Sequence, residues 1–219
     1  MKNILKSVLV IIYFYLYKIS INIPFALLDF NYEDIPVFYN IITQIVFVIS
    51  LAIIYKKDLK IYLEDFKENG VSHMKVGFNY WLVGLSVMIV SNIIIGLFSP
   101  LSLPENEQAV RHALDQNAIY MAISAVLIAP VIEETLFKKT LFDMINNKKF
   151  FVIISGIIFG AIHIIGSAES LYSWLYIIPY ASLGIAFSYT FEKTNNILTP
   201  IIMHSFHNLI TILQIFLLF

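Results

Sequence analysis

The chain has no cysteine, which excludes disulfides, thiolate metal sites and cysteine catalysis. Charge is scarce too: Asp, Glu, Lys and Arg make up 13% of the 219 residues, well below the roughly 25% typical of soluble domains. Neither sign dominates. The formal net charge is −1, so there is no basic excess to attract nucleic acid. H-E-x-x-H, internal repeats and low-complexity linkers are absent as well.

What the chain does have is apolar length. Hydrophobic residues account for 59% of it and fall in blocks of about 17–23, enough to cross roughly 30 Å of hydrocarbon. The pattern predicts an all-α, polytopic transmembrane bundle forming a single domain over residues 1–219. Seven spans are expected, at 4–21, 37–55, 76–98, 117–145, 150–165, 171–191 and 197–219. Pro179 and Pro200 interrupt the last two, which brackets the count at six to eight. The first span begins like a signal peptide but lacks a small-x-small cleavage site, so it reads as a retained helix.

The connections carry the charge. An acidic loop at Asp29, Glu33 and Asp34 follows span one, and Ser99-Pro100 closes span three before a loop with Glu105, Glu107, Arg111 and Asp115. Residues 56–75 hold five lysines, with Leu59, Tyr62, Leu63 and Phe66 at helical spacing. Residues 56–70 therefore read equally as an amphipathic surface helix ended by Gly70 or as a solvated loop. His73 and His112 fall in predicted loops. Lysines cluster at the start, in the second loop and around 138–149, which places the N-terminus in the cytoplasm of a multi-pass cell-membrane protein. Trp81, Tyr172 and Trp174 belong to an interfacial belt in contact with membrane lipids. The sequence carries no signal for an oligomeric state.

Against this background Ala129-Pro-Val-Ile-Glu-Glu-Thr-Leu-Phe-Lys138 stands out. Ionisable groups at such depth cost about 2.5–3.5 kcal/mol each on insertion scales and are seldom without a partner or a task. Span five adds His163, and span seven adds His204, His207 and Asn208. Glu133 lies 13 residues before Asn146 and His163 lies 14 after Lys149, so each stands about 20 Å from the shared turn. His204 and Asn208 lie one turn apart at a compatible depth. The four can meet in one layer.

Neighbouring helical residues point about 100° apart, so the two glutamates need not share a role. Glu134 and Lys138 are spaced i, i+4 in the favourable orientation for an ion pair. Glu133 is then the freer carboxylate, suited to activating water beside His163. Donors on His204 and Asn208 suit an oxyanion. Pro130 predicts a kink that widens the site. His207 reads as packing. The set points to peptide-bond hydrolysis inside the membrane, on a membrane-associated peptide or protein substrate.

At these residues the sequence resembles the CAAX-protease and bacteriocin-processing (Abi) family of intramembrane endopeptidases. Glu133-Glu134-x-x-x-Lys138, Phe159-x-x-x-His163 and His204-x-x-x-Asn208 occur in the family's order, within a core at about 117–211. The resemblance implies a glutamate-dependent protease: Glu133 and His163 activate water, His204 and Asn208 hold the oxyanion, and Glu134, Lys138 and Phe159 support them. It also implies a role in peptide maturation or bacteriocin immunity. The family's first motif usually ends in arginine; Lys138 keeps the charge but loses the two-pronged guanidinium.

Three other readings compete. Metal-free catalysis is favoured, with zinc on Glu133, His163 and His204 as the alternative cofactor. A proton-coupled transporter would also place carboxylates and histidines at the midplane. A non-catalytic membrane scaffold would keep the fold and act by binding, and Lys138 is the feature that favours it.

Overall fold

The computed structural model describes residues 4–28, 37–99, 103–165, 167–168 and 170–218. Outside them fall the predicted acidic loop at Asp29, Glu33 and Asp34, the stop at Pro100, and Gly166 and Glu169 of the loop before span six. The described residues form seven long helices and no strand: α1 (Ile4–Leu27), α2 (Val37–Ile54), α3 (Lys56–Phe98), α4 (Glu105–Met144), α5 (Lys148–Ile162), α6 (Ile177–Thr194) and α7 (Leu198–Leu218). Helices α1, α2, α3, α4 and α7 are long and apolar enough to cross a membrane. This is a multi-pass membrane protein built as an all-α bundle.

Helix α5 is only 15 residues long, with Phe150, Ile153 and Ile157 exposed on one face, whereas α6 is buried along most of its length. Leu183, Ala186, Phe187, Ser188, Thr190 and Phe191 of α6 are all buried, so its polar positions face other helices rather than lipid. The two helices approach closely through Gly156-Ile-Ile-Phe-Gly160, the small-x-x-x-small spacing that lets helix backbones touch. A Cβ on Gly160 would stand 2.8 Å from both Ala181 N and Ile177 O. Hydroxyls extend the contact: Ser188 Oγ donates to Ser155 Oγ at 2.9 Å, and Ser155 Oγ to the Phe137 carbonyl at 2.5 Å. That chain joins α6, α5 and α4.

Residues 56–70 are helical, but Gly70 does not end the helix. Helix α3 continues without a break for 43 residues, about 65 Å at 1.5 Å per residue. A glycine inside a helix costs roughly 0.5–1 kcal/mol, and burial of Tyr62, Trp81 and Ile95 along α3 outweighs it. His73, expected in a loop, therefore lies on α3, where Nε2 meets Asp65 Oδ2 at 2.8 Å. Asp65 also accepts from Asn69 and from Asn196 in the α6–α7 turn, at 2.8 and 2.7 Å. That turn is set by Asn195, whose φ of 48° is the left-handed conformation asparagine tolerates.

The expected loop with Glu105, Glu107, Arg111 and Asp115 is helical too, the first turns of α4. Arg111 pairs with Glu107 one turn back at 2.7 Å, and His112 is on this helix rather than in a loop, though exposed. Asn117, the predicted start of span four, marks a kink: φ −155° and ψ 83° leave the helical region. Its Oδ1 accepts from Tyr120 N at 3.1 Å, capping the helix that resumes. At the other end the chain turns at 145–147, and the Asn147 side chain accepts from Phe150 N at 3.0 Å to start α5. Lys139 ties this end together. Its Nζ reaches Asp143 at 2.7 Å and Asp58 of α3 at 3.3 Å, and Asp58 also binds Lys6 of α1 at 3.3 Å.

Candidate active site

Helix α4 is not a regular helix where it carries the two glutamates. Two π-helical stretches, Ser124–Ile128 and Thr135–Thr140, flank the α-helical turn Ala129–Glu134. Widened turns of this kind often lie at functional sites, and the first has a visible cause in Pro130, which has no N–H to continue the ladder. The second turn is held by the Thr140 hydroxyl, which donates to the Leu136 carbonyl. Between them the glutamates diverge. Glu134 is fully buried, whereas the Glu133 side chain remains 24% exposed.

Glu134 makes two interactions. Its Oε2 lies 3.8 Å from Lys138 Nζ in a pair with no exposed surface. Its Oε1 lies 2.9 Å from His204 Nδ1. A carboxylate paired with an ammonium only accepts, so Nδ1 of His204 carries a proton and Nε2 points onward. Lys138 Nζ has no hydrogen-bond partner among the described residues and rests 4.3 Å above the Phe159 ring, a cation–π contact in place of a second anion.

His163 ends α5. Its Nδ1 faces the Phe159 carbonyl at 2.7 Å, and because a carbonyl only accepts, Nδ1 is the protonated nitrogen and Nε2 is left for the site. The ring lies between Phe159, centroids 4.6 Å apart, and Tyr180, stacked at 4.9 Å and 16°. His204 is held in the same way, stacked on Phe187 at 5.1 Å and edge-on to Phe159 at 5.4 Å. Aromatic faces hold both imidazoles, and the two Nε2 atoms converge on one oxygen. Glu133 Oε2 is 4.0 Å from His163 Nε2 and 4.0 Å from His204 Nε2.

The structure thus brings Glu133, Glu134, Lys138, Phe159, His163 and His204 into one cluster. Asn208 lies a turn below His204, and its Nδ2 donates to the Ala125 carbonyl of the first π stretch at 2.7 Å. His207 faces elsewhere and accepts from Trp81 Nε1 at 3.4 Å. Sequence reasoning did not single out Tyr180, Phe187 or the bond between His204 and Glu134. None of these has a local signal, since each depends on how α6 and α7 lie against α4 and α5. Asn208–Ala125 did have one, because Pro130 announces a missing donor nearby.

Ligands sharing a tetrahedral zinc with bonds near 2.0 Å have donor atoms roughly 3.3 Å apart. The 4.0 Å separations from Glu133 to the two histidines are wider, and among the described residues no group of three or more His, Asp or Glu side chains is arranged to hold a metal ion.

Residues 115–210 match the family model for Type II CAAX prenyl endopeptidase Rce1-like proteins. Among curated proteins, the UPF0177 protein YxdF of Lactococcus lactis subsp. lactis (strain IL1403) is 35% identical over 83 residues, covering 38% of this chain and 43% of YxdF. A protein of Mycoplasma capricolum subsp. capricolum (strain California kid) is 30% identical over 194 residues, covering 81% of this chain and 55% of that protein. "Putative membrane peptidase YdiL" of Bacillus subtilis (strain 168) is 25% identical over 113 residues, covering 50% of this chain and 43% of YdiL. The chain spans about half the length of the curated relatives it matches. No solved structure matches it. The family match runs from before Glu133 to beyond Asn208, so over the stretch that carries the site the chain is similar to the Rce1-like CAAX endopeptidases.

Proposed function

We propose that this protein is an intramembrane endopeptidase that hydrolyses a peptide bond in a membrane-associated peptide or protein, with water activated by Glu133 and His163. The observation that carries this reading is the 4.0 Å spacing from Glu133 Oε2 to Nε2 of His163 and of His204. A water oxygen in hydrogen-bond reach of both Glu133 and His163 would give its protons to two acceptors, which is what a general base pair requires.

In the step that follows, the water oxygen bonds to the scissile carbonyl carbon while its proton passes to Glu133. The carbonyl oxygen becomes an oxyanion, stabilised by His204 Nε2–H and an N–H of Asn208. His204 acts here with both ring nitrogens protonated, Glu134 accepting from Nδ1. The C–N bond then breaks, and the proton held by Glu133 goes to the departing amine. Glu134 and Lys138 hold His204 in place, and the Phe159 carbonyl fixes the His163 tautomer. The wide donor spacing favours this metal-free route over zinc on the same residues.

The N-terminus lies in the cytoplasm, following the lysine distribution, and the family's CAAX prenyl endopeptidases make a prenylated C-terminal peptide the first substrate to try. Purified protein in lipid nanodiscs should cleave a fluorogenic prenylated CAAX peptide or an unprenylated membrane-spanning one, with activity that survives chelation. Glu133→Ala should abolish cleavage. Loss of activity on chelation, with recovery on added zinc, would replace this mechanism by a metalloprotease.

A further inference from the structure

We infer that Pro130 is a positioning residue for Asn208: by withholding one backbone N–H it leaves the Ala125 carbonyl to hold the Asn208 amide. The inference rests on the endopeptidase reading for its catalytic meaning and on backbone geometry for its structural content.

Ser124 N–H still bonds the Tyr120 and Met121 carbonyls, but at the end of the π-helical stretch Ser124–Ile128 the register has widened and Ala129 N–H reaches Ser124 O, five residues back. The next donor in that register is residue 130, whose partner would be Ala125 O. Residue 130 is proline and has no N–H. A carbonyl left unpaired in a bundle interior is costly, so it needs a donor from elsewhere. Asn208 Nδ2 supplies it at 2.7 Å, from a helix 83 residues away in sequence.

The consequence for the site follows from the amide itself. A primary amide has two N–H groups. With one spent on Ala125 O, the amide plane is fixed against α4 and the second N–H keeps a set direction, on the face of α7 that carries His204 one turn above. An asparagine held at one end only by its own χ angles would sample several rotamers, and an oxyanion donor works best when it is oriented in advance. Pro130 therefore acts on the reaction without touching substrate. Replacing it with alanine restores an N–H that competes for Ala125 O and releases Asn208.

The test is a double-mutant cycle on thermal unfolding in nanodiscs, joined to kinetics on the fluorogenic peptide. Asn208→Ala should lower the melting temperature in the Pro130 background. In Pro130→Ala the same change should cost about half as much or less, because the backbone N–H restored at position 130 then pairs with Ala125 O. Equal losses in the two backgrounds would overturn the inference. Pro130→Ala alone should lower kcat by about 10–100-fold with KM unchanged; an unchanged kcat would show that Asn208 is not oriented in this way. Pro130→Ser restores the same N–H and serves if the alanine variant does not fold. Absence of cleavage by the wild-type protein would refute the endopeptidase reading, and the unfolding cycle would still decide the link between Pro130 and Asn208.

Discussion

Lys138 Nζ stands 3.8 Å from Glu134 Oε2, and neither side chain is exposed. Removing one member of a buried ion pair leaves the other charged and unsolvated, at a cost of about 3–5 kcal/mol. Lys138→Met should therefore lower stability by that order, as measured by thermal or denaturant unfolding in detergent micelles. Adding Glu134→Gln should recover most of the loss, because glutamine removes the stranded charge while its carbonyl still accepts from His204 Nδ1. A double variant as unstable as Lys138→Met would show that the lysine acts through its stacking on Phe159 rather than through the pair.

The α5–α6 contact makes a second prediction. Gly160 lies three residues before His163, and a Cβ there would meet the Ala181 and Ile177 backbone at 2.8 Å. Backbone cannot rotate aside, so Gly160→Ala should force the helices apart and cost about 1–3 kcal/mol. Cleavage should fall with it, since His163 moves with α5. Gly96 is the control. Among the described residues nothing lies within 4 Å of its would-be Cβ, and Gly96→Ala should be neutral or stabilise α3 by up to about 1 kcal/mol. Melting temperatures of the two variants settle the comparison.

His204 and His207 sit on one helix but should behave differently. His207 accepts from Trp81 Nε1 at 3.4 Å, a packing role, so His207→Leu should cost about 1 kcal/mol of stability and leave the cleavage rate near wild type. His204→Leu should lower kcat by roughly 10²–10³, the usual effect of losing an oxyanion donor. Steady-state kinetics on both variants distinguishes these roles, and a His207→Leu enzyme as slow as His204→Leu would contradict them.

These contrasts show which parts of the molecule were legible in the sequence. Apolar block lengths predicted seven spans; the described residues form seven long helices, of which five are long and apolar enough to cross a membrane, because hydrocarbon thickness sets a length that composition records directly. Counting residues from the predicted turn at 146–149 placed Glu133 and His163 at one height, and the structure brings the two side chains within 4.0 Å. Boundaries were less readable. Gly70 and the charged residues 105–115 looked like breaks, yet α3 and α4 run through them. Local propensity is worth up to about 1 kcal/mol per residue, and tertiary packing of Tyr62 and Trp81 exceeds it. The partner of His204 was not legible at all. Glu134 lies 70 residues away, and only the packing of α7 against α4 brings the two together.

The central claim is that water, activated by Glu133 beside His163 and His204, attacks the peptide bond directly. Cleavage under single-turnover conditions in ¹⁸O-labelled water, followed by mass spectrometry of product and enzyme, tests it most directly. The account predicts one ¹⁸O in the newly formed carboxylate on the first turnover and none in Glu133. Unlabelled product with ¹⁸O in the Glu133 carboxylate would mean a covalent acyl-enzyme, and would contradict it.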